Sequence, residues 1–405
     1  MRVVSVVGNR PQFVKAAPLS RALRRRVDEV LVHSGQHYDP ELADLFFDEL
    51  GVPRPDHALE VGHGTPVAQL ATMLQRLEPL LAAERPDMVL VYGDTTTTLA
   101  GALAAAKAGV PLGHVEAGLR SFDRSMPEEQ NRVVADHLSS LLLCPTDTAV
   151  ENLAREGIAA GVHQVGDVML DASRMFAPAA ATRPGPAALG LEPGRYLLVT
   201  VHRAAATDTE AALDALVEVL RAIDEPAVFP VHPRTRHRLE ATGRWAALAG
   251  HPALRLSPPV GYLDFTALLM SARAVVTDSG GVQKEAYFHG VPCVTLRDTT
   301  EWVETVEGGF NHLTGMDPAR VRAALADLAM PAERPPYYGD GRAAERIAEA
   351  VAAAALGSRL PMVRARSGPP AGQASTIGQF PRTRPAKQAA AYTARGISTS
   401  QAAPT

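Results

Sequence analysis

The stretch that decides the fold runs from Ala272 to Glu285 and reads A-R-A-V-V-T-D-S-G-G-V-Q-K-E. Val275 and Val276 end a short β-branched run of the kind that forms a buried strand. Ser279-Gly280-Gly281 turns the chain, and Val282 to Phe288 has helical composition. A strand that feeds a glycine-rich helix start offers unpaired backbone N–H groups and the positive end of a helix dipole to an anion. Gly280 and Gly281 leave room for a phosphate where a Cβ would block it. Glu285 lies about one and a half turns into that helix, where a carboxylate accepts hydrogen bonds from sugar hydroxyls. The ligand class implied is a nucleotide sugar or another diphosphate; a plain strand–turn–helix connection is the simpler alternative.

Working outward, short β-type runs alternate with longer helical patterns along the whole chain. Val3–Val7, Glu29–His33, Met88–Tyr92, Leu112–Val115 and Leu141–Cys144 read as strands, with helical patterns at Pro18–Arg26, Thr65–Glu84 and Thr97–Ala108. The alternation restarts at Tyr196–Thr200 and continues through Ala227–Val231, Leu254–Leu256, Ala274–Thr277 and Cys293–Leu296. Two βαβ series predict an α/β fold with two Rossmann-like, doubly wound parallel sheets. The expected domains are 1–172 and 195–340, joined by an Ala-, Pro- and Gly-rich linker at 173–194. A helix follows at 341–356, and the tail 357–405 has the composition of a disordered segment.

The 405 residues exceed one ordinary core, and 46% hydrophobic with 21% charged residues is a soluble globular composition. A net charge of −4 gives no reason to expect nucleic acid or an anionic membrane as partner. No apolar run reaches the length of a membrane span, and Met1–Val7 is too short for a signal peptide. Cys144 and Cys293 sit in apolar runs and read as buried thiols, which suits a cytoplasmic location. Lysine occurs only at Lys15, Lys107, Lys284 and Lys387, so a lysine in a motif stands out.

Polar residues gather at predicted strand ends, where ligands of open α/β sheets bind. Gly8-Asn9-Arg10-Pro11, with Lys15 beyond it, lacks the G-x-G-x-x-G spacing of a dinucleotide site but supplies two cations. Asp94 follows the strand ending at Tyr92, with a threonine run suited to a helix start. Glu116 closes an apolar strand, where packing gives a carboxylate no reason to be, and Glu128 and Glu129 open a helix. For the last two, dipole compensation is the competing explanation. His202-Arg203 and His232-Pro233-Arg234 end successive strands, a pairing suited to phosphate contact or proton transfer. No metal-ligand spacing is present.

The ordered set G-N-R-P-Q-F-V-K, S-G-Q-H-Y-D, Y-G-D-T-T-T-T, H-V-E-A-G-L-R-S, M-P-E-E-Q-N-R, T-V-H-R, D-S-G-G-V-Q-K-E and R-D-T-T-E-W-V-E-T resembles the UDP-N-acetylglucosamine 2-epimerase family over about residues 1–355. The resemblance implies two Rossmann-like domains around a cleft, similar to GT-B glycosyltransferases, with a final helix crossing back to the first domain. It implies catalytic carboxylates at Asp94, Glu116 and Glu128, and His202 assisting departure of the diphosphate. It puts Arg10 and Lys15 near the diphosphate and sugar, Ser279, Gly280 and Gly281 at the phosphate, Glu285 at the ribose and Phe265 beside uracil. Arg203 and His232 complete the expected binding set. A UDP-sugar partner, no cofactor, no metal and a homodimer are further implications. The expected reaction is non-hydrolysing interconversion of UDP-GlcNAc and UDP-ManNAc through a glycal.

Four features depart from the better-known bacterial members: Ala204-Ala205-Ala206 after Arg203, Trp302 in place of Arg, Lys284 in place of Glu, and S-G-Q-H-Y-D in place of Q-H-x-x-M. They resemble a subgroup that includes epimerases of UDP-2,3-diacetamido-2,3-dideoxy-glucuronic acid. A hydrolysing epimerase, a GT-B glycosyltransferase and a non-enzymatic nucleotide-sugar binder are the competing functions.

Overall fold

Seven strands form the first sheet: β1 (Arg2–Val7), β2 (Asp28–His33), β3 (His57–Ala58), β4 (Met88–Tyr92), β5 (Leu112–Val115), β6 (Leu141–Cys144) and β7 (Val162–Gln164). Their spatial order is 3-2-1-4-5-6-7 and the pairings are parallel. The second sheet holds β8 (Leu197–Thr200), β9 (Ala227–Pro230), β10 (Leu254–Ser257), β11 (Ala274–Thr277), β12 (Cys293–Thr295) and β13 (Asn311–Leu313). Its order is 10-9-8-11-12-13, again parallel. The computed structural model describes residues 1–35, 50–62 and 64–357. Gln36–Asp39 of the S-G-Q-H-Y-D motif and the tail beyond Gly357 lie outside them.

Helices cover both faces of each sheet, which is why the central strands are apolar without alternation. Val3, Val7, Leu90 and Val115 face one core, together with Phe13, Leu19 and Phe176. Val4, Val6, Val89 and Val91 face the other, against Met73, Leu77 and Ala100. The second sheet repeats this with Val199, Phe229 and Val276 on one side and Leu198, Val228 and Val275 on the other. Both sheets belong to one compact unit, Met1–Leu360. Each order reverses direction between neighbouring strands, at β1/β4 and at β8/β11. Those reversals open the crevices in which such sheets bind ligands.

Three expected elements are revised. The first helix is Arg10–Leu23 rather than one starting at Pro18: Asn9 accepts from the Gln12 N–H, Pro11 occupies the first turn, and Pro18 lies inside the helix. Ser173–Gly194 is not an open linker. Helix Val168–Ala181 runs through its first part, burying Ser173, Phe176 and Ala180, and a 3₁₀ turn follows at Gly185–Leu189. Alanine-rich composition serves a helix as well as a linker, and the buried face decides. The last helix is Ala343–Gly357. Asp171 accepts from its Ala343 and Ala344 N–H groups at 3.1 and 2.8 Å, and Ile347 and Val351 join the core that contains Phe13 and Phe176.

Two imidazoles make this packing sensitive to acid. Burial lowers the pKa of His33, at the end of β2, from 6.5 to about 4 against a backbone hydrogen bond at Gly8. Burial, then Arg334, lowers His289 equally, beside Ser173 Oγ at 2.9 Å. The unfolded chain takes up these protons near pH 6.5, so their stabilisation is present above that pH and is lost as pH falls toward 4, by up to about 3 kcal/mol each. Denaturant unfolding at pH 7 and pH 4.5 should show this fall, and His289→Gln should reduce it. An equal fall in both proteins contradicts the assignment.

Candidate active site

A cleft of about 710 Å³ lies where the carboxyl ends of β1, β4 and β5 approach those of β8, β9 and β11. Its first wall is organised by Gln12. This buried side chain accepts from the Gly8 N–H at 2.7 Å and donates to the Tyr92 carbonyl at 2.6 Å and to Thr95 and Thr98 Oγ1 at 3.0 and 3.1 Å. The turns after β1 and β4 are thereby locked together, and part of the threonine run serves this lock. Asp94 follows, with its carbonyl accepting from Asn131 Nδ2 at 2.9 Å and its carboxylate paired with Arg132 Nη2.

Glu116 is held in the left-handed region at φ 72°, a costly conformation for a side-chain-bearing residue. A buried network fixes its turn. His114 sits between Asp136 Oδ1 and the Gly93 carbonyl, each at 2.7 Å, while Asp136 Oδ2 accepts from the Gly118 N–H and Arg120 Nη1. The Glu116 carboxylate then enters a buried ionic chain. Lys15 Nζ bonds one oxygen, Lys284 Nζ reaches the other at 2.6 Å, and Lys284 also reaches Asp167 Oδ2 at 2.5 Å. Gly93, at φ 61°, is required here: a Cβ would lie 3.1 Å from both Glu116 Oε2 and Lys15 Nζ. Burial alone would raise the Glu116 carboxyl, but Lys15 and Lys284 draw it down to about 2. Burial opposes the Lys284 charge as well, and Asp167 and Glu116 outweigh it, so its pKa is raised.

The facing wall comes from the second sheet. Buried Asp278 accepts from the His202 and Arg203 N–H groups at 3.1 and 2.8 Å, which orients the loop after β8. His202 and His232 line the cleft with ring centroids 6.0 Å apart. Ser279 precedes helix Gly280–His289 without capping it by its side chain. Neither Gly280 nor Gly281 has the positive φ that demands glycine, and a Cβ on Gly281 would meet nothing within 4 Å. Neither backbone geometry nor protein packing accounts for that glycine. Arg132 closes one end, paired with Asp94, Glu129 (2.9 Å) and Glu301 (3.4 Å). Burial raises the Glu301 carboxyl less than Arg132 and Arg297 lower it, leaving it at about 2.

Of the residues expected at the site, Lys15, Asp94, Glu116, Glu128, His202, Arg203, His232, Ser279, Gly280 and Gly281 line this one cleft. Arg10, Phe265 and Glu285 do not. Arg10 donates to the Val260 carbonyl at 3.2 Å. Phe265 packs against the core around Leu268 and Val275. Glu285 is buried next to Tyr262, and that burial raises its carboxyl pKa. Conversely, Arg132, Asp167, Asp278, Lys284, Glu301 and Trp302 were not expected as site residues. All but Asp167 lie inside motifs quoted above, and the scarcity of lysine marked Lys284; nothing local marked Asp167.

Gly281→Val tests the second wall. It places a branched side chain in the open space before the helix start, so, with the diphosphate where the family resemblance implies, UDP affinity should fall by 10-fold or more (about 1.4 kcal/mol). Calorimetric titration checks it, and unchanged binding by the folded variant removes the nucleotide from this turn.

Residues 21–352 match the family model for UDP-N-acetylglucosamine 2-epimerase. The chain is 46% identical over 353 residues to a UDP-N-acetylglucosamine 2-epimerase homolog of Methanococcus maripaludis, covering 86% of this chain and 99% of that one. It is 44% identical over 364 residues to the UDP-2,3-diacetamido-2,3-dideoxy-D-glucuronate 2-epimerase of Pseudomonas aeruginosa, covering 87% and 99%. Its fold matches the crystal structure of Methanocaldococcus jannaschii UDP-GlcNAc 2-epimerase in complex with UDP-GlcNAc and UDP. That match has a TM-score of 0.81 and 39% identity over 87% of this chain and 99% of that one.

Proposed function

The chain belongs to the UDP-N-acetylglucosamine 2-epimerase family, and from that premise we propose that it interconverts UDP-GlcNAc and UDP-ManNAc without net hydrolysis. The supporting observation is one cleft lined by Asp94, Glu116 and Glu128 on one side and by His202, Arg203 and Ser279–Gly281 on the other. The C2 proton of the sugar has no adjoining carbonyl to acidify it. Elimination removes the difficulty: a carboxylate takes the C2 proton, the C1–O bond breaks with its electron pair leaving on UDP, and C1=C2 forms. Protonation of the opposite face and return of UDP to C1 complete the inversion.

Each wall has its share of this chemistry. Asp94 faces the cleft with fewer cationic partners than Glu116, which is pinned between two ammonium groups and is a weak base while they remain. His202, Arg203 and the helix start supply positive potential for departing UDP. Among the described residues no helix is long and apolar enough to cross a membrane. A homodimer is the assembly the family resemblance suggests, and the two buried, unpaired cysteines suit the reducing cytoplasm.

The test is reaction in D₂O. The abstracted proton exchanges with solvent before return, so the epimer should carry deuterium at C2 by NMR. Retained protium would exclude elimination. Free ManNAc with UDP as the end products would instead identify a hydrolysing enzyme.

A further inference from the structure

Trp302 carries a hydrogen-bond donor that no described residue accepts from. Its side chain lines the cleft, yet the residue is only 4% exposed and its Nε1 is buried without an acceptor among the described residues. A buried N–H left unpaired is costly, and native proteins rarely keep one without a role for it. The indole is held in place on several sides. Lys284 Nζ lies 4.0 Å from the ring centroid, Tyr338 packs at 5.8 Å, and the Trp302 backbone N–H donates to Thr300 Oγ1 at 3.2 Å.

The position of Nε1 indicates its use. It lies 3.4 Å from the point a Cβ on Gly280 would occupy, with Glu301 Oε2 at 3.6 Å and Arg203 Nη2 at 3.8 Å from the same point. Glu301 is already neutralised by Arg297 and Arg132, so it does not close this point to anions. A neutral donor, a guanidinium and the start of helix Gly280–His289 are therefore grouped around Gly280 on the cleft wall. The ammonium over the indole face also draws electron density from the ring and strengthens its N–H as a donor.

We infer that the Trp302 indole N–H donates to an oxygen of the ligand's diphosphate, making Trp302 a nucleotide-binding residue. This rests on the proposal that the cleft takes a UDP-sugar. A tryptophan here holds the anion by a directional, uncharged bond, and the local positive charge stays with Arg203 and the helix.

Trp302→Phe keeps an aromatic face for Lys284 and removes only the donor and part of the ring. Calorimetric titration with UDP should show affinity 10- to 100-fold weaker than in the natural protein, with an unchanged far-UV spectrum before ligand is added. Affinity within twofold overturns the inference. If the variant does not fold, the natural protein labelled with ¹⁵N-tryptophan gives the answer. Trp245 and Trp302 are its two indoles, and Trp245→Phe assigns them. UDP should move the Trp302 Nε1–H signal downfield and leave that of Trp245 in place; an unmoved Trp302 signal overturns the inference. Failure of the natural protein to bind UDP at all overturns the functional proposal itself, an outcome distinct from either of these.

Discussion

Asp94→Asn is expected to lower turnover by about 100-fold or more while leaving UDP affinity near that of the natural protein. The side chain keeps its shape and one hydrogen-bonding oxygen, so the amide can still face Arg132. What disappears is a carboxylate able to take a proton from carbon. The fold tolerates the change, because Arg132 keeps Glu129 and Glu301 as partners when the Asp94 charge is gone. UDP binding survives because the nucleotide is assigned to the opposite wall. Steady-state kinetics with UDP-GlcNAc, paired with UDP titration, separates the two effects. Turnover within threefold of the natural protein would remove Asp94 from the chemistry and leave Glu116 or Glu128 to supply the base. Glu116→Gln should also be slow, but it changes the buried ionic chain at the same time and is the less clean experiment.

Lys284→Met is expected to cost about 3–5 kcal/mol of stability. Lys284 is 1% exposed and shared by two carboxylates. Met fills a similar volume against Trp302, so the loss does not come from a cavity. Glu116 retains Lys15, but among the described residues Asp167 is left buried with only the Met169 N–H at 2.8 Å as a charge-stabilising contact. Removing one member of a buried ion cluster leaves an uncompensated charge, which is the expensive case. Urea unfolding of both proteins at pH 7 measures the difference. A loss below about 1 kcal/mol would show that water or a rearranged side chain reaches Asp167. Lys284 also links helix Gly280–His289 of the second sheet to Glu116 of the first, so the variant should perturb turnover along with stability.

Much of this molecule was legible in the sequence because its strands are buried on both faces. Val3–Val7, Met88–Tyr92 and Ala274–Thr277 announce themselves as apolar β-branched runs, and the helices between them fix a parallel order. Cleft-lining residues at strand ends were visible for the same reason: Asp94, Glu116, His202 and Ser279 each follow an apolar run that they interrupt. What could not be read depends on side-chain direction. Glu285 and Lys284 are neighbours on one helix, yet Lys284 reaches into the cleft and Glu285 packs against Tyr262. One residue along the helix, a rotation of about 100°, separates a cleft-lining side chain from a core one, and composition does not encode it. Asp167 lies far from Glu116 in sequence, so only the folded chain brings the two carboxylates to one ammonium. The alanines and Pro178 after Ser173 misled for a different reason: they suit a linker by composition and a helix by burial.

Gly281 has a further consequence for anyone engineering this protein. It sits in the first turn of its helix with ordinary backbone angles and empty space where a side chain would go. Replacing a glycine of this kind by alanine restricts the unfolded chain and stiffens the helix, a gain of about 0.4–1 kcal/mol. A library sorted only for heat resistance should therefore enrich Gly281→Ala, and the winners would be sturdier proteins with a poorer grip on the nucleotide. Sorting for survival and sorting for turnover pull in opposite directions at this residue, so a thermostable variant needs its gains drawn from elsewhere in the chain.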